Sequence, residues 1–164
     1  SDYDLKQHMD HSRRDLRYTD PKSGRAFIPH VIEPAVGINR LLLMTLCDAY
    51  WEDADNDRTV LRLRPALAPY KAAVFPLLKN KPELVEKARS VFKGLARRFA
   101  VTWDERGNIG KRYYSQDEIG TPFCVTIDFQ TLEHDTVTVR ERDSMRQERV
   151  AIKDLELYLQ QALV

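Results

Sequence analysis

Ala72-Ala73-Val74-Phe75 is a short apolar run, and Lys81 to Arg98 follows it with Leu84, Val85, Ala88, Val91, Phe92 and Leu95 at helical spacing behind a Pro82 that suits a helix's first turn. Outward from this strand and helix, Ala100-Val101-Thr102-Trp103 reads as a second strand and the polar segment from Asn108 to Ile119 as a helix. Phe123 to Phe129, Thr136 to Arg142 and Arg146 to Ile152 are alternating or β-rich, and a last helix runs from Asp154 to Leu163. The order is β-α-β-α-β-β-β-α. Strands separated by helices imply parallel pairing for the first three, and the close spacing of the last ones implies a hairpin. The expectation is an α/β fold, α+β over the whole chain, with a mixed five-stranded sheet and about three helices packed on it.

Upstream, Trp51-Glu52-Asp53-Ala54-Asp55-Asn56-Asp57 has no apolar period and collects turn-forming Asp and Asn, so it reads as an exposed linker. The domain boundary is placed there, giving residues 1–57 and 58–164. Leu5 and Met9 lie four apart in a short helical segment, and Asp20-Pro21-Lys22-Ser23-Gly24-Arg25 carries the Pro and Gly of a hairpin turn. Ala26 to Ile32 is expected as the strand after that turn, and Ile38 to Tyr50, apolar nearly all round, as a buried helix.

The 164 residues suffice for one ordinary domain, or a small one plus part of another. With 43% hydrophobic and 31% charged residues, 6 Gly and 8 Pro, the composition excludes collagen, low-complexity disorder and a disulfide-dense miniprotein. Cys47 and Cys124 sit in apolar runs and read as buried thiols in a reducing compartment, which leaves no structural zinc site. His8, His11, His30 and His134 form no metal signature. The longest apolar run, Leu41-Leu42-Leu43-Met44, falls far short of the roughly 20 residues of a bilayer span. Ser1-Asp2-Tyr3-Asp4-Leu5 lacks a starting Met and the features of a signal peptide, so the chain is expected to be a piece of a longer one. Residues 1–57 carry 7 Lys and Arg against 11 Asp and Glu, and residues 58–164 carry 19 against 14. The basic second half suggests a nucleic-acid face or, as its modest excess equally allows, only a solvated surface.

Glu33-Pro34-Ala35-Val36-Gly37-Ile38-Asn39-Arg40 ends a strand on a carboxylate and places an Arg in a helix's first turn. A residue without Cβ lets a flat ligand approach the backbone, and a guanidinium stacks on an aromatic ring or binds phosphate, so Gly37 and Arg40 together suit a nucleotide. Glu33 suits an ammonium group. The competing reading pairs Arg40 with Glu33 or Asp48 beneath the helix.

Asp2-Tyr3-Asp4-Leu5, Ile28-Pro29-His30-Val31-Ile32-Glu33-Pro34 and Gly37-x-x-Arg40 resemble the end of the glycyl-tRNA synthetase catalytic domain, the last stretch being like the third class II synthetase motif. The likeness continues through Arg58-Thr59-Val60-Leu61-Arg62-Leu63, Leu67-Ala68-Pro69, Gln116-Asp117-Glu118-Ile119-Gly120-Thr121-Pro122-Phe123 and Thr136-Val137-Thr138-Val139-Arg140, and so covers essentially the whole chain. The resemblance implies a fragment of the antiparallel class II catalytic domain followed by an anticodon-binding domain.

By that resemblance Arg40 stacks on the adenine of ATP, Gly37 keeps the floor of the pocket clear and Glu33 contacts the glycine ammonium, with Arg40 and Glu33 as the catalytic candidates. Ala35 stands where the family usually has Ser and removes one hydroxyl hydrogen bond. The resemblance further implies ligation of glycine to tRNA(Gly) through glycyl-adenylate, with ATP as substrate, Mg²⁺ in the full enzyme, a homodimer and a cytoplasmic location. The family's dimerisation motif and its Arg motif for the α-phosphate lie upstream, so the fragment alone is expected to be inactive.

Bases of a single-stranded loop are stacked on aromatic or Arg planes and bonded on their edges, and Lys111-Arg112-Tyr113-Tyr114-Ser115-Gln116-Asp117-Glu118 mixes those groups. Arg140 and Arg142, two apart on a strand, point to one face. The tRNA-binding candidates are therefore Arg112, Gln116, Asp117, Glu118, Arg140 and Arg142. The plainer alternative is a polar helix with a core Tyr and a cross-strand pair between Arg142 and Glu148. Two other functional classes compete. A non-catalytic, synthetase-like nucleic-acid-binding accessory protein is favoured by Ala35 and disfavoured by the retained Glu33, Gly37 and Arg40. A protein-interaction module using Phe123 to Phe129 is disfavoured because that strand reads as core.

Overall fold

The computed structural model describes residues 1–163; Val164, the last residue of the expected second domain, lies outside them. The chain forms two compact units, Ser1–Leu41 and Leu42–Val164. The first holds helix α1 (Tyr3–Ser12) and the antiparallel pair β1 (Tyr18–Thr19) and β2 (Ala26–Phe27) around the Asp20 to Arg25 turn. Asp20 organises that turn by accepting from the Lys22 and Ser23 amides at 3.0 and 3.3 Å. The strand expected to reach Ile32 stops at Phe27, since Pro29 has no N–H to continue a ladder.

Helix α2 (Ile38–Ala49) forms as expected, but its burial does not: only Ala49 is buried, and Leu42, Leu43 and Met44 are 59–65% exposed. All-round apolarity marks a surface that favours cover, and the described residues leave it exposed.

The stretch expected as an exposed linker is a β-hairpin. Strand β3 (Tyr50–Asp53) pairs antiparallel with β4 (Arg58–Leu61). Trp51 lies under the Arg62 guanidinium, 4.6 Å from ring centroid to Cζ, and Asp53 and Arg58 are buried against each other. Acidic composition concealed this because the partners of the acids lie after the turn, outside the local pattern.

The second unit is built on a five-stranded sheet of order β6-β5-β7-β8-β9, from β5 (Ala72–Pro76), β6 (Val101–Trp103), β7 (Phe123–Ile127), β8 (Thr136–Glu141) and β9 (Gln147–Ala151). Strand β5 pairs parallel with both β6 and β7, and β7-β8 and β8-β9 are antiparallel, which bears out the expected mixed sheet. Helix α3 (Pro82–Leu95) crosses from β5 to β6, and α4 (Ile109–Glu118) crosses back over β5 to β7. Crossovers of one hand that move in opposite directions place their helices on opposite faces. The core divides accordingly. Ala72, Val74, Val125, Val137 and Val139 pack with Leu84, Ala88 and Val91 of α3 and with Leu155 and Leu159 of α6 (Leu155–Ala162). Ala73, Phe75 and Cys124 face Ile109 and Tyr113 of α4.

A short helix not expected from the sequence, α5 (Phe129–His134), ends β7 two residues early. Asp128 and Thr131 form a reciprocal capping box at its start.

Gly120, between α4 and β7, has φ +82°, and a Cβ there would lie 3.0 Å from the Leu61 carbonyl oxygen and from Leu63 Cδ1. Gly120→Ala combines a left-handed backbone with this close approach. It should lower stability by on the order of 1–3 kcal/mol, read as a reduced midpoint in urea unfolding.

Candidate nucleic-acid interface

Helix α4 starts at Asn108, whose side-chain Oδ1 accepts from the Lys111 amide at 2.8 Å. From that start, residues spaced by four turn two pairs of side chains toward the sheet: Arg112 with Gln116, and Tyr113 with Asp117. Asp117 is fully buried, and its carboxylate is the junction of the second unit. Arg140 donates to it through Nη1 and Nη2 at 2.8 and 2.9 Å, and Arg58 donates through Nη1 at 2.8 Å. Arg58 also donates through Nε to Asp53 at 2.7 Å and through Nη1 to the Arg142 carbonyl at 2.8 Å. Burial works against the Arg58 charge, but the bonds to Asp117 and Asp53 outweigh it and raise its pKa.

Arg142 extends the same region. Its guanidinium donates to the carbonyls of Gly120 and Leu63 at 2.8 and 2.9 Å and grips Asp143 through two bonds. The cross-strand alternative of Arg142 with Glu148 does not form. Glu148 stands opposite Val139, and it accepts from the Tyr158 hydroxyl. Arg112 is buried under α4 and donates to the carbonyls of Pro76, Leu77 and Gly107. Burial lowers its pKa. Gln116 accepts from the Thr121 hydroxyl at 2.8 Å, closing the turn after α4. Glu118 is exposed.

Of the six residues singled out on the sequence, Asp117, Arg140 and Arg142 are therefore joined into one buried network. Arg112 and Gln116 are buried apart from it, bonded mainly to backbone and to Thr121. Arg58, Asp53 and Asp143 escaped the sequence reading. An Arg directly after an acidic turn is the one local trace they leave, and it does not say which distant carboxylate it meets.

The accessible face of the network is a groove of about 440 Å³ whose lining includes Lys111, Tyr113, Tyr114, Arg140, Met145 and Gln147. The Arg140 guanidinium lies 4.9 Å from the Tyr113 ring centroid, and the Tyr113 hydroxyl is bonded to Thr126 at 2.7 Å. Burial raises the Tyr113 pKa and so favours the neutral phenol. Tyr114 is exposed at the rim. Aromatic faces beside fixed and mobile cations are the groups that hold unstacked bases and a phosphate backbone.

In the first unit, Glu33, Ala35, Gly37 and Arg40 are all exposed. A Cβ at Gly37 would meet nothing within 4 Å. Among the described residues no ion pair joins Arg40 to Glu33 or Asp48. No group of three or more His, Cys, Asp or Glu among the described residues is arranged to hold a metal ion. No described helix is long and apolar enough to cross a membrane.

The domain is thus a mixed sheet flanked by helices, with an aromatic and cationic groove on one face. The chain belongs to the anticodon binding domain family, whose model matches residues 71–162. It is 52% identical over 162 residues to the glycine–tRNA ligase of Clostridium tetani, covering 97% of this chain and 34% of that protein. It is also 52% identical over 165 residues to that of Bacillus cereus, covering 99% and 35%. The chain thus spans about a third of the length of these curated relatives. Among solved structures it matches the RNA binding domain of threonyl-tRNA synthetase from Cryptosporidium parvum, with a TM-score of 0.56 and 26% identity over 62% of this chain and 25% of that one. The resemblance to glycyl-tRNA synthetases is borne out.

Asp117→Asn would leave the Arg140 guanidinium buried without its countercharge and weaken the hold on Arg58. Breaking a buried pair from one side costs about 3–5 kcal/mol. The variant should show that loss in denaturant unfolding, whereas Glu118→Gln, on the exposed side of the same turn, should change stability by less than about 0.5 kcal/mol.

Proposed function

We propose that this chain is the C-terminal portion of a glycyl-tRNA synthetase and that its second domain, residues 58–164, binds the anticodon loop of tRNA(Gly). The match to glycine–tRNA ligases along nearly the whole chain carries this reading, and it favours a synthetase over an accessory nucleic-acid-binding protein. The α4 groove supports loop binding: Tyr113 and Tyr114 offer faces for stacking, Lys111 a phosphate contact and Arg140 a fixed donor at the floor. Glu118, exposed one turn beyond Tyr114 on α4 and outside that groove, accepts from a base amino group. Arg112, Gln116, Asp117 and Arg142 act as positioning residues that hold α4 and the end of β8 in place. Arg58 ties the β3–β4 hairpin, which spans the boundary at 57/58, to Asp117.

In the same proposal the first domain, residues 1–57, contributes one wall of the ATP and glycine site. Arg40 stacks on adenine, Gly37 leaves room for it, and Glu33 binds the glycine ammonium beside Ala35. The intact enzyme is a cytoplasmic homodimer that uses Mg²⁺ and forms glycyl-adenylate before transfer to tRNA. Ala35→Ser in the intact enzyme should change the KM for glycine by no more than one hydroxyl bond is worth, about 0.5–1.5 kcal/mol. A larger change in steady-state kinetics would show that another group organises the pocket. The isolated chain should support no glycine-dependent exchange of pyrophosphate into ATP.

The test of loop binding uses two hairpins that differ only in the anticodon, at fixed salt. The chain should prefer the glycine-type loop, and Tyr114→Ala should weaken that complex by about 1–3 kcal/mol, the worth of one stacked base. Equal affinity for both hairpins would reduce the groove to a phosphate contact.

A further inference from the structure

On the sheet face opposite α4, helix α3 carries Lys87, Arg89 and Lys93, and the turn that follows it carries Arg97 and Arg98, in a stretch from 87 to 98 that holds no Asp or Glu. The structure turns one row of this segment into the wall of a groove. Lys87, Ser90, Gly94, Arg97 and Arg98 line one side of a cavity of about 400 Å³, and Ile152, Lys153 and Glu156 line the other, over a floor of Val91, Leu95 and Leu155. Four cations thus face a single carboxylate. Lys87 is paired with Asp135 at 2.5 Å and Arg98 with Glu156 at 2.8 Å, while Arg97 and Lys153 have no ion-pair partner among the described residues. Ser90 and Gly94 keep the wall low between the cations, and a Cβ added at Gly94 would meet nothing within 4 Å.

The lining has no aromatic ring, in contrast to the α4 groove with its two tyrosines. A surface that offers charge without stacking faces suits a nucleic acid whose bases are already stacked and paired, because only its phosphates are then available. We propose that the groove between α3 and α6 is a second RNA contact, which takes the phosphate backbone of a helical stem independently of loop sequence. The inference rests on the reading of the chain as an RNA-binding portion of a synthetase. Lys87, Arg97, Arg98 and Lys153 are its binding residues, and the space over Ser90 and Gly94 admits the backbone.

The experiment measures binding of the 164-residue chain to two hairpins with the same loop, one short-stemmed and one long-stemmed, across a salt series. The long stem should bind more tightly, with a steeper dependence on salt. Replacing both Arg97 and Lys153 by Ala should reduce the slope of log affinity against log salt by about 2 for the long stem, and weaken it on the order of tenfold, with little effect on the short one. Gly94→Glu should act in the same direction with the fold intact by circular dichroism, since its side chain has open space and Glu is a better helix former than Gly. Absence of any stem-length effect in the wild-type chain, or unchanged long-stem affinity in both variants, would overturn the proposal. Polyglutamate displacing the long stem as effectively as duplex RNA would overturn it in favour of an acidic protein partner. Failure of loop reading has a different signature: the stem effect persists while the two anticodons of the previous experiment bind equally.

Discussion

The second unit is organised around one carboxylate. Asp117 is fully buried and holds Arg140 and Arg58, so the last turn of α4, the end of β8 and the β3–β4 hairpin meet at a single charge. Such a cluster contributes less net stability than an apolar cluster of equal volume, because three charged groups leave water to form it. Its consequence is geometric. A bidentate Arg tolerates little error in direction, and the second Arg adds a constraint from another element. The Arg142 backbone accepts from Arg58 while its side chain closes on Gly120 and Leu63, so the turn beyond α4 is held from three sides.

The sheet gives this arrangement two unlike faces. On the α3 and α6 side the strands present Val74, Val125, Val137 and Val139 to an apolar core. On the α4 side they present Phe75, which packs against the Tyr113 ring, and the smaller Ala73, Cys124 and Thr126, beside which the Arg140 guanidinium lies over Tyr113. Period-two alternation therefore does more than separate inside from outside. It keeps one face dry and stable, and gives the other a polar layer.

The first unit contrasts with this. Its two-residue strands and exposed α1 bury little apolar surface, and Glu33, Ala35, Gly37 and Arg40 stand open to solvent. The apolar face of α2 is exposed as well.

Much of this was legible in the residues alone. The apolar runs at 72–75 and within 123–129, the 3.6-residue rhythm of 84–95 and the order of strands and helices along the chain follow from local periodicity, and they predict a mixed sheet because parallel strands need crossover helices. The cluster of Arg, Tyr and carboxylate on α4 was also visible, together with Arg140 and Arg142 on one strand. What tertiary structure alone decided is which of those charges are buried and with whom. Asp117 meets Arg58 across 59 residues and Arg140 across 23, and no local rule ranks these partners above Glu148 for an Arg on β8. The hairpin at 50–61 was hidden for the same reason, since Asp53 and Arg58 read as solvated charges until a distant carboxylate gives the pair a place to be buried. Periodicity is a property of neighbours along the chain, whereas desolvation of a charge depends on everything that packs around it.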